Sequence, residues 1–326
     1  MKTEHEVLFT PWQVGGITVR NRFVHCPMEG TNIIETVNFK FAAHSRDYWL
    51  ERARNDVGLL IPGMVPIRSF LGGKWLYQYE KLFMGPVKQL MDDVHRYGAR
   101  FFLQIGAGMG RSMAAIPMLR SIHRSAFLRT MTRLAGFDVE RMFAAPSAGL
   151  PNVWDPAIKT TALATHDIHA IVDAYGRAAL LCQKAGIDGV EIHALHEGYL
   201  LDQFAMTATN QRTDEYGGSL ENRLRFVTGI IHSVKAACGP DYLVSVRYSV
   251  ESKMIAFNVG AVPGEHYHEF GRGRDESIQV ARLRRGACHL AAPRLPPVRS
   301  SVVSELHRTL GRAPLASPPL ARRLLH

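Results

Sequence analysis

His193, His196 and Tyr199 fall in one short stretch directly behind the apolar run GVEIHAL. Two imidazoles and a phenol at the end of a buried segment suit one task, holding a carbonyl oxygen and delivering a proton. Neutral imidazole donates hydrogen bonds, and phenol is a competent acid beside an anionic intermediate. Two histidines with the Glu197 carboxylate also outline part of a metal site, but the spacing sets no third protein ligand. A buried histidine can equally be a satisfied core residue, so the residues alone leave these readings open. Other polar groups follow other apolar runs: Cys26, Pro27, Met28 and Glu29 after RFVH, Gln104 inside RFFLQIG, and Arg247 in YLVSVRYS. Gly106, Gly108 and Gly110 lack the GxGxxG spacing, and no crossover helix with a distant acid follows, so they make no nicotinamide fingerprint. They read instead as a place where backbone passes close to a flat ligand. Asp202, Arg212, Asp214, Glu215, Asn222 and Arg223 read as a bracing turn and a capped helix start around Tyr216 to Gly218.

The elements that must position these groups repeat. Ile168, Ile171, Val172, Tyr175, Ala179 and Cys182 recur at helical spacing, with Thr165 or Asp167 as candidate caps and Gly186 as the stop. The strand GVEIHAL comes next. Lys81 to Tyr97 precedes RFFLQIG in the same way, and Asn222 to Cys238 precedes YLVSVRYS; upstream, RFVHCP, HSRDYWLERAR and VGLLIP read as strand, helix and strand. Strands near Phe23, Leu60, Leu103, Ile192 and Val246, alternating with helices, predict a parallel sheet covered by helices. Five strands fit either an open doubly wound sheet or part of a (β/α)8 barrel. Both put their chemistry at the carboxyl ends of the strands, where the polar groups stand. Arg111 to Ala164 shows no clear period and is predicted to be an elaborated loop over that end.

Composition limits the function classes. The chain has 326 residues, 46% of them hydrophobic and 21% charged, enough for a large buried core. Cys26, Cys182, Cys238 and Cys288 are too scattered for a disulfide scaffold, a CxxC zinc site or an iron-sulfur cluster. Neither a leader-like amino end nor a bilayer-length apolar run is read, and reduced thiols in the cytoplasm are expected. The formal charge of +10 would suggest a nucleic acid or anionic partner. Counting from Phe270 onward, however, eleven Arg stand against Asp275, Glu276 and Glu305, so this part carries +8 and the rest only +2. After Phe270 there is no aromatic residue on which bases could stack, which argues against nucleic acid as partner. Rich in Arg, Ala, Pro and Leu, residues 283–326 have the composition of an out-of-frame continuation of a GC-rich gene; a basic arm for an anionic partner is the competing reading.

GVEIHALHEGYLLDQF followed by NQRTDEYGGSLENRLRF resembles the fourth-strand signature of the Old Yellow Enzyme family, in the branch of 2-enoate and 2,4-dienoyl-CoA reductases and related NADH:flavin oxidoreductases. LFTPWQVGGITVRNRFVHCPM, the glutamine of FFLQIG, Ala145 to Ser147 and Arg247 support the likeness, which covers roughly residues 8–282. It implies a TIM barrel, incomplete here with strands one to five recognisable, and non-covalent FMN at its mouth. Pro27 and Met28 would pass along the isoalloxazine edge, Gln104 would bond the pyrimidine side, and Arg247 would stabilise the reduced ring's charge. His193 and His196 would bind a carbonyl or carboxylate, and Tyr199 would give the proton. NAD(P)H would be the reductant, and an α,β-unsaturated acid, ketone or thioester the substrate. HALHEGYL is one residue longer than the family's shorter HAAHGYL, and Glu29 stands where a small residue usually faces the flavin. The strands that should follow ESIQVAR, and with them the phosphate-holding loops, give way to the Arg-rich tail. A non-catalytic barrel remnant is therefore the alternative expectation.

Overall fold

The computed structural model describes residues 3–35, 39–69, 73–196, 198–249 and 273–287. After a 3-10 turn over Thr3–Phe9 comes a hairpin that sequence reading missed, β1 (Trp12–Val14) and β2 (Ile17–Val19). β3 (Val24–His25), α1 (Ala43–Arg54), β4 (Leu59–Leu60), β5 (Val65–Pro66), α2 (Glu80–Arg96) and β6 (Arg100–Gly106) follow. Next are α3 (Pro117–Arg124), α4 (Ala126–Leu134), α5 (Val139–Met142), α6 (Thr165–Lys184) and β7 (Gly189–Leu195). α7 (Leu200–Ala205), α8 (Leu220–Cys238), β8 (Leu243–Tyr248) and α9 (Arg274–Ala287) complete the described elements.

Strand order decides what strand count left open. β3, β4, β6, β7 and β8 lie side by side in chain order, every pair parallel, and β5 adds to the pairing along β6. A doubly wound sheet reverses its order at a switch point. Among the described residues this sheet never reverses, which is the winding of a (β/α) barrel, here five strands of an open half. The sixth to eighth strand positions and the tail from Cys288 onward lie outside the described residues. α9 is the helix expected at ESIQVAR, and it runs on through Leu283 to Ala287, five residues past the boundary expected at 282.

Register sorts the strand side chains into two faces, because successive residues point to opposite sides. Phe101, Leu103, Ile105, Val190 and Ile192 enter the main core with α2, α6 and α8. The opposite face is layered: Phe102, Gly189 and Leu243 in register, then Gln104, Glu191 and Ser245, then Gly106, His193 and Arg247. Phe102 and Leu243 cluster with Val19, Leu59 and Ile61, and Trp12, Val14 and Ile17 of the hairpin pack against them. The hairpin thus plugs the amino end with apolar side chains and leaves the polar layers to the carboxyl end.

The helices form where apolar spacing predicts, with two corrections. Neither Thr165 nor Asp167 caps α6: the N-cap is Ala164, without a side-chain bond. Asp167 lies instead in the first turn, where its charge suits the helix dipole, and it pairs with Arg141 at 2.7 Å. Gly186 does end this unit, at φ +86°. Arg111 to Ala164 is not an aperiodic loop, since α3, α4 and α5 lie in it with their own small core of Ala115, Leu119, Val139, Phe143 and Ile158. Helices of eight, nine and four residues, interleaved with Arg, are too short to establish a period.

Candidate active site

Four of the residues singled out from sequence share the carboxyl-end rim. Gln104 on β6 and His193 on β7 are buried, and His193 is the register partner of both Gly106 and Arg247. Arg247 on β8 donates through Nη1 to the carbonyl of Pro27, just after β3, at 3.0 Å. That bond ties the fifth strand to the first across the open half-barrel. Pro27 is buried, whereas Met28 is 50% exposed and Cys26 and Glu29 are exposed.

Tyr199 joins this group through His193. Its ring centroid is 4.8 Å from that of His193 with the planes tilted by 31°, and His196 meets His193 edge-on at 5.4 Å. Tyr199 takes extended backbone at the start of α7. The loop before it is held from several sides. Asp202 accepts from the Gly198 amide at 3.0 Å, while Ser112 and Gln203 both donate to the Gly198 carbonyl, at 2.9 and 2.6 Å. Gln203 went unnoticed in the sequence, and it also donates to the Met109 carbonyl at 2.9 Å. The bracing expected of the Asp202 region is thus performed next to Tyr199 by Asp202. Arg212 braces elsewhere, donating to the carbonyls of Pro146 and Leu163. Arg223 pairs with Glu276 of α9 at 2.6 Å.

Burial sets the charge state of the imidazoles. Desolvation, reinforced by His196 and Arg247, pulls His193 down to about 3, and desolvation with Arg247 pulls His196 down to about 4. Both rings are neutral at physiological pH and can donate a hydrogen bond. The Nδ1 of His193 is buried with no hydrogen-bond partner among the described residues. A buried polar atom left unsatisfied costs about 1–3 kcal/mol, so a ligand that bonds it removes a standing penalty.

One buried residue of the middle layer was missed. Glu191 accepts from Gln104 Nε2 at 2.7 Å and from the Ser245 hydroxyl at 3.1 Å. Burial raises its pKa, and the bonds from Gln104 and Ser245, with the nearby Arg247, oppose that shift. The bond to Glu191 turns the Gln104 NH2 toward the carboxyl group and leaves Oε1 as the available acceptor. Its place in GVEIHAL, two residues before His193, puts Glu191 on the same face as His193, but spacing alone does not say which face that is.

Two of the three glycines in the run are packed against side chains. A Cβ on Gly106 would sit 2.0 Å from Met64 Sδ, and one on Gly110 would sit 2.3 Å from the Gln203 amide oxygen. Gly106 and Gly110 make room for protein side chains, whereas a Cβ on Gly108, at φ +133°, would meet only Leu200, at 3.8 Å. Among the described residues no three His, Cys, Asp or Glu side chains gather as a metal site, and no helix is long and apolar enough to cross a membrane. The polar rim instead suits a planar heteroaromatic ring: an amide oxygen acceptor, a fixed cation and a neutral imidazole with a free ring nitrogen converge above an apolar plug. These residues fit the ring portion of FMN.

A parallel barrel sheet with a phenol, a cation and neutral histidines at its carboxyl rim has the layout of a barrel enzyme, whose chemistry sits at that end. Residues 7–294 match the NADH:flavin oxidoreductase / NADH oxidase family, and the chain belongs to that family. Cinnamate reductase of Clostridium sporogenes is 35% identical over 289 residues, covering 87% of this chain and 40% of that protein. NADH oxidase of Thermoanaerobacter brockii is 31% identical over 284 residues, covering 85% and 37%. The chain therefore spans about two fifths of the length of these curated relatives. The Old Yellow Enzyme homologue from Zymomonas mobilis superposes with a TM-score of 0.63 at 25% identity, covering 87% of this chain and 71% of that one.

Proposed function

We propose that the chain carries an FMN-dependent ene-reductase site that uses NAD(P)H to reduce the C=C bond of an α,β-unsaturated acid, ketone or thioester in the cytoplasm. The observation that carries this reading is the cluster of His193, His196 and Tyr199, two imidazoles held neutral beside a phenol, one register step from Arg247 and one layer above Gln104. Bound FMN supplies hydride exchange between the nicotinamide and the β-carbon of the substrate. Gln104 Oε1 and Arg247 are the groups to hold its pyrimidine side, and the guanidinium favours negative charge there. His193 and His196 donate to the substrate carbonyl oxygen, where negative charge grows in the transition state. Neutral rings suit that task because their N–H groups donate without a proton being taken from solution. Tyr199 protonates the α-carbon, held in place by its contact with His193 and by the braced loop before it. The names of the relatives, cinnamate reductase and NADH oxidase, support both the unsaturated substrate class and the nicotinamide reductant.

The test is NAD(P)H consumption by the FMN-loaded chain, with and without cinnamate or an enone, and with the product identified by mass spectrometry. Oxidation that depends on the unsaturated compound and yields its saturated form is the expected result. Tyr199→Phe should lower kcat about 10²- to 10⁴-fold, the usual contribution of a positioned acid, while NAD(P)H still bleaches the flavin colour. Oxidation with oxygen alone, or full turnover by Tyr199→Phe, would remove the proposal.

A further inference from the structure

A second cavity, of about 450 Å³, lies at the same end of the sheet between the stretch after β5, the Gly106–Gly110 turn, the α4–α5 region and the start of α6. None of His193, His196, Gln104 or Arg247 lines it, and it is large enough for a small organic ligand. Trp75, Met113, Phe137, Met142, Ile171 and Leu200 give it apolar walls.

Its charges do not balance. Arg68, Arg133 and Arg141 line it with Asp138 and Asp167, and Glu140 and Arg129 join the same network, so four guanidiniums stand with three carboxylates. Arg141 is taken by Asp167 at 2.7 Å, and Arg133 by Asp138 at 3.5 Å and by Glu140. Arg68 has no carboxylate partner among the described residues. Its Nε donates to the Gly73 carbonyl at 2.6 Å and its guanidinium lies over the Trp75 ring at 4.9 Å, while among the described residues its terminal nitrogens have no hydrogen-bond acceptor. A half-buried fork of N–H groups beside an apolar wall, with one surplus positive charge, is complementary to a monoanion of matching planar geometry.

We propose that this cavity binds a small monocarboxylate with an aromatic or branched apolar body, its carboxylate forked on Arg68 and its body against Phe137, Met142 and Leu200. The ligand sits wholly in this cavity and is distinct from the molecule reduced at the His193 rim. Calorimetric titration with phenylbutyrate, which has no reducible double bond, tests this against its neutral amide. The acid should bind the unmodified chain about tenfold or more tighter than the amide, as a charge-assisted pair requires. Arg68→Met should erase that advantage, and Arg68→Lys should keep part of it, with circular dichroism melting confirming that both variants fold. His193→Ala should leave the affinity unchanged. Equal binding of acid and amide, acid binding that survives in Arg68→Met, no binding at all, or an equal loss in His193→Ala would each overturn the proposal. Neither NAD(P)H nor turnover enters the measurement, so its outcome is independent of whether the ene-reductase reading holds.

Discussion

His193 carries the sharpest consequence at the scale of single residues, because its folded state holds it neutral far below its ordinary range. The unfolded ring takes up a proton near pH 6.5 and the folded one only at about 3. Between those values the unfolded chain binds more protons, so stability is complete above pH 6.5 and is lost as pH falls toward 3. Between pH 7 and 5 this ring alone should remove about 2 kcal/mol from the unfolding free energy. Urea melts at the two pH values measure the drop, and His193→Asn should make it shallower. Imidazole NMR should show the His193 ring unprotonated at pH 5; a titration near 6.5 would contradict its burial among His196 and Arg247. His193, Tyr199, Gln104 and Arg247 were legible in the sequence because polar types at the ends of apolar runs advertise themselves. Glu191 was not. A strand buried on both faces hides its alternation, so a carboxylate pointing inward looks the same on paper as one at a sheet surface.

Among elements, the α6–α8 pair shows how tightly the outer layer is set. A Cβ on Gly176 of α6 would lie 2.5 Å from the Ser233 hydroxyl and 2.8 Å from its backbone carbonyl oxygen on α8. Gly176→Ala would gain roughly 0.8–1.0 kcal/mol of helix propensity, but overpacking against a fixed backbone costs about 1–3 kcal/mol. The clash should win. Urea denaturation should show a net loss near 1 kcal/mol, and a stabilised variant would mean that the two helices are free to move apart. The helix-then-strand units were readable because α2, α6 and α8 each bury one apolar stripe and a glycine follows each. The β1–β2 hairpin was not, since three-residue strands are shorter than any period they could display. Strand order was also beyond the sequence: pairing is a non-local choice, and the same five strands could have been wound about a switch point.

For the whole molecule, the question is what closes the barrel beyond β8. Its lower residues Leu243 and Val244 are buried, while Ser245 to Tyr248 are half-buried, although the same layers of β7 are buried. Among the described residues no strand pairs with the far edge of β8; an edge left unpaired above a polar rim invites pairing with other chains, and closure alone removes it. Three further strands would have to come from residues after Ser249, and past Phe270 that sequence contains no aromatic residue and eleven Arg. The ring-holding groups are assembled on strands already described, so a chain whose residues after Ser249 form no further strands should show weak flavin retention rather than loss of the rim itself. We therefore expect the chain expressed as written to purify with substoichiometric FMN and to show oligomers in light scattering. Fusing strands six to eight of a related barrel after Arg282 should raise flavin occupancy and restore a single species. If the unaltered chain is monodisperse and binds one FMN per molecule, then residues after Ser249 close the barrel despite their composition, and the out-of-frame reading of the tail is wrong.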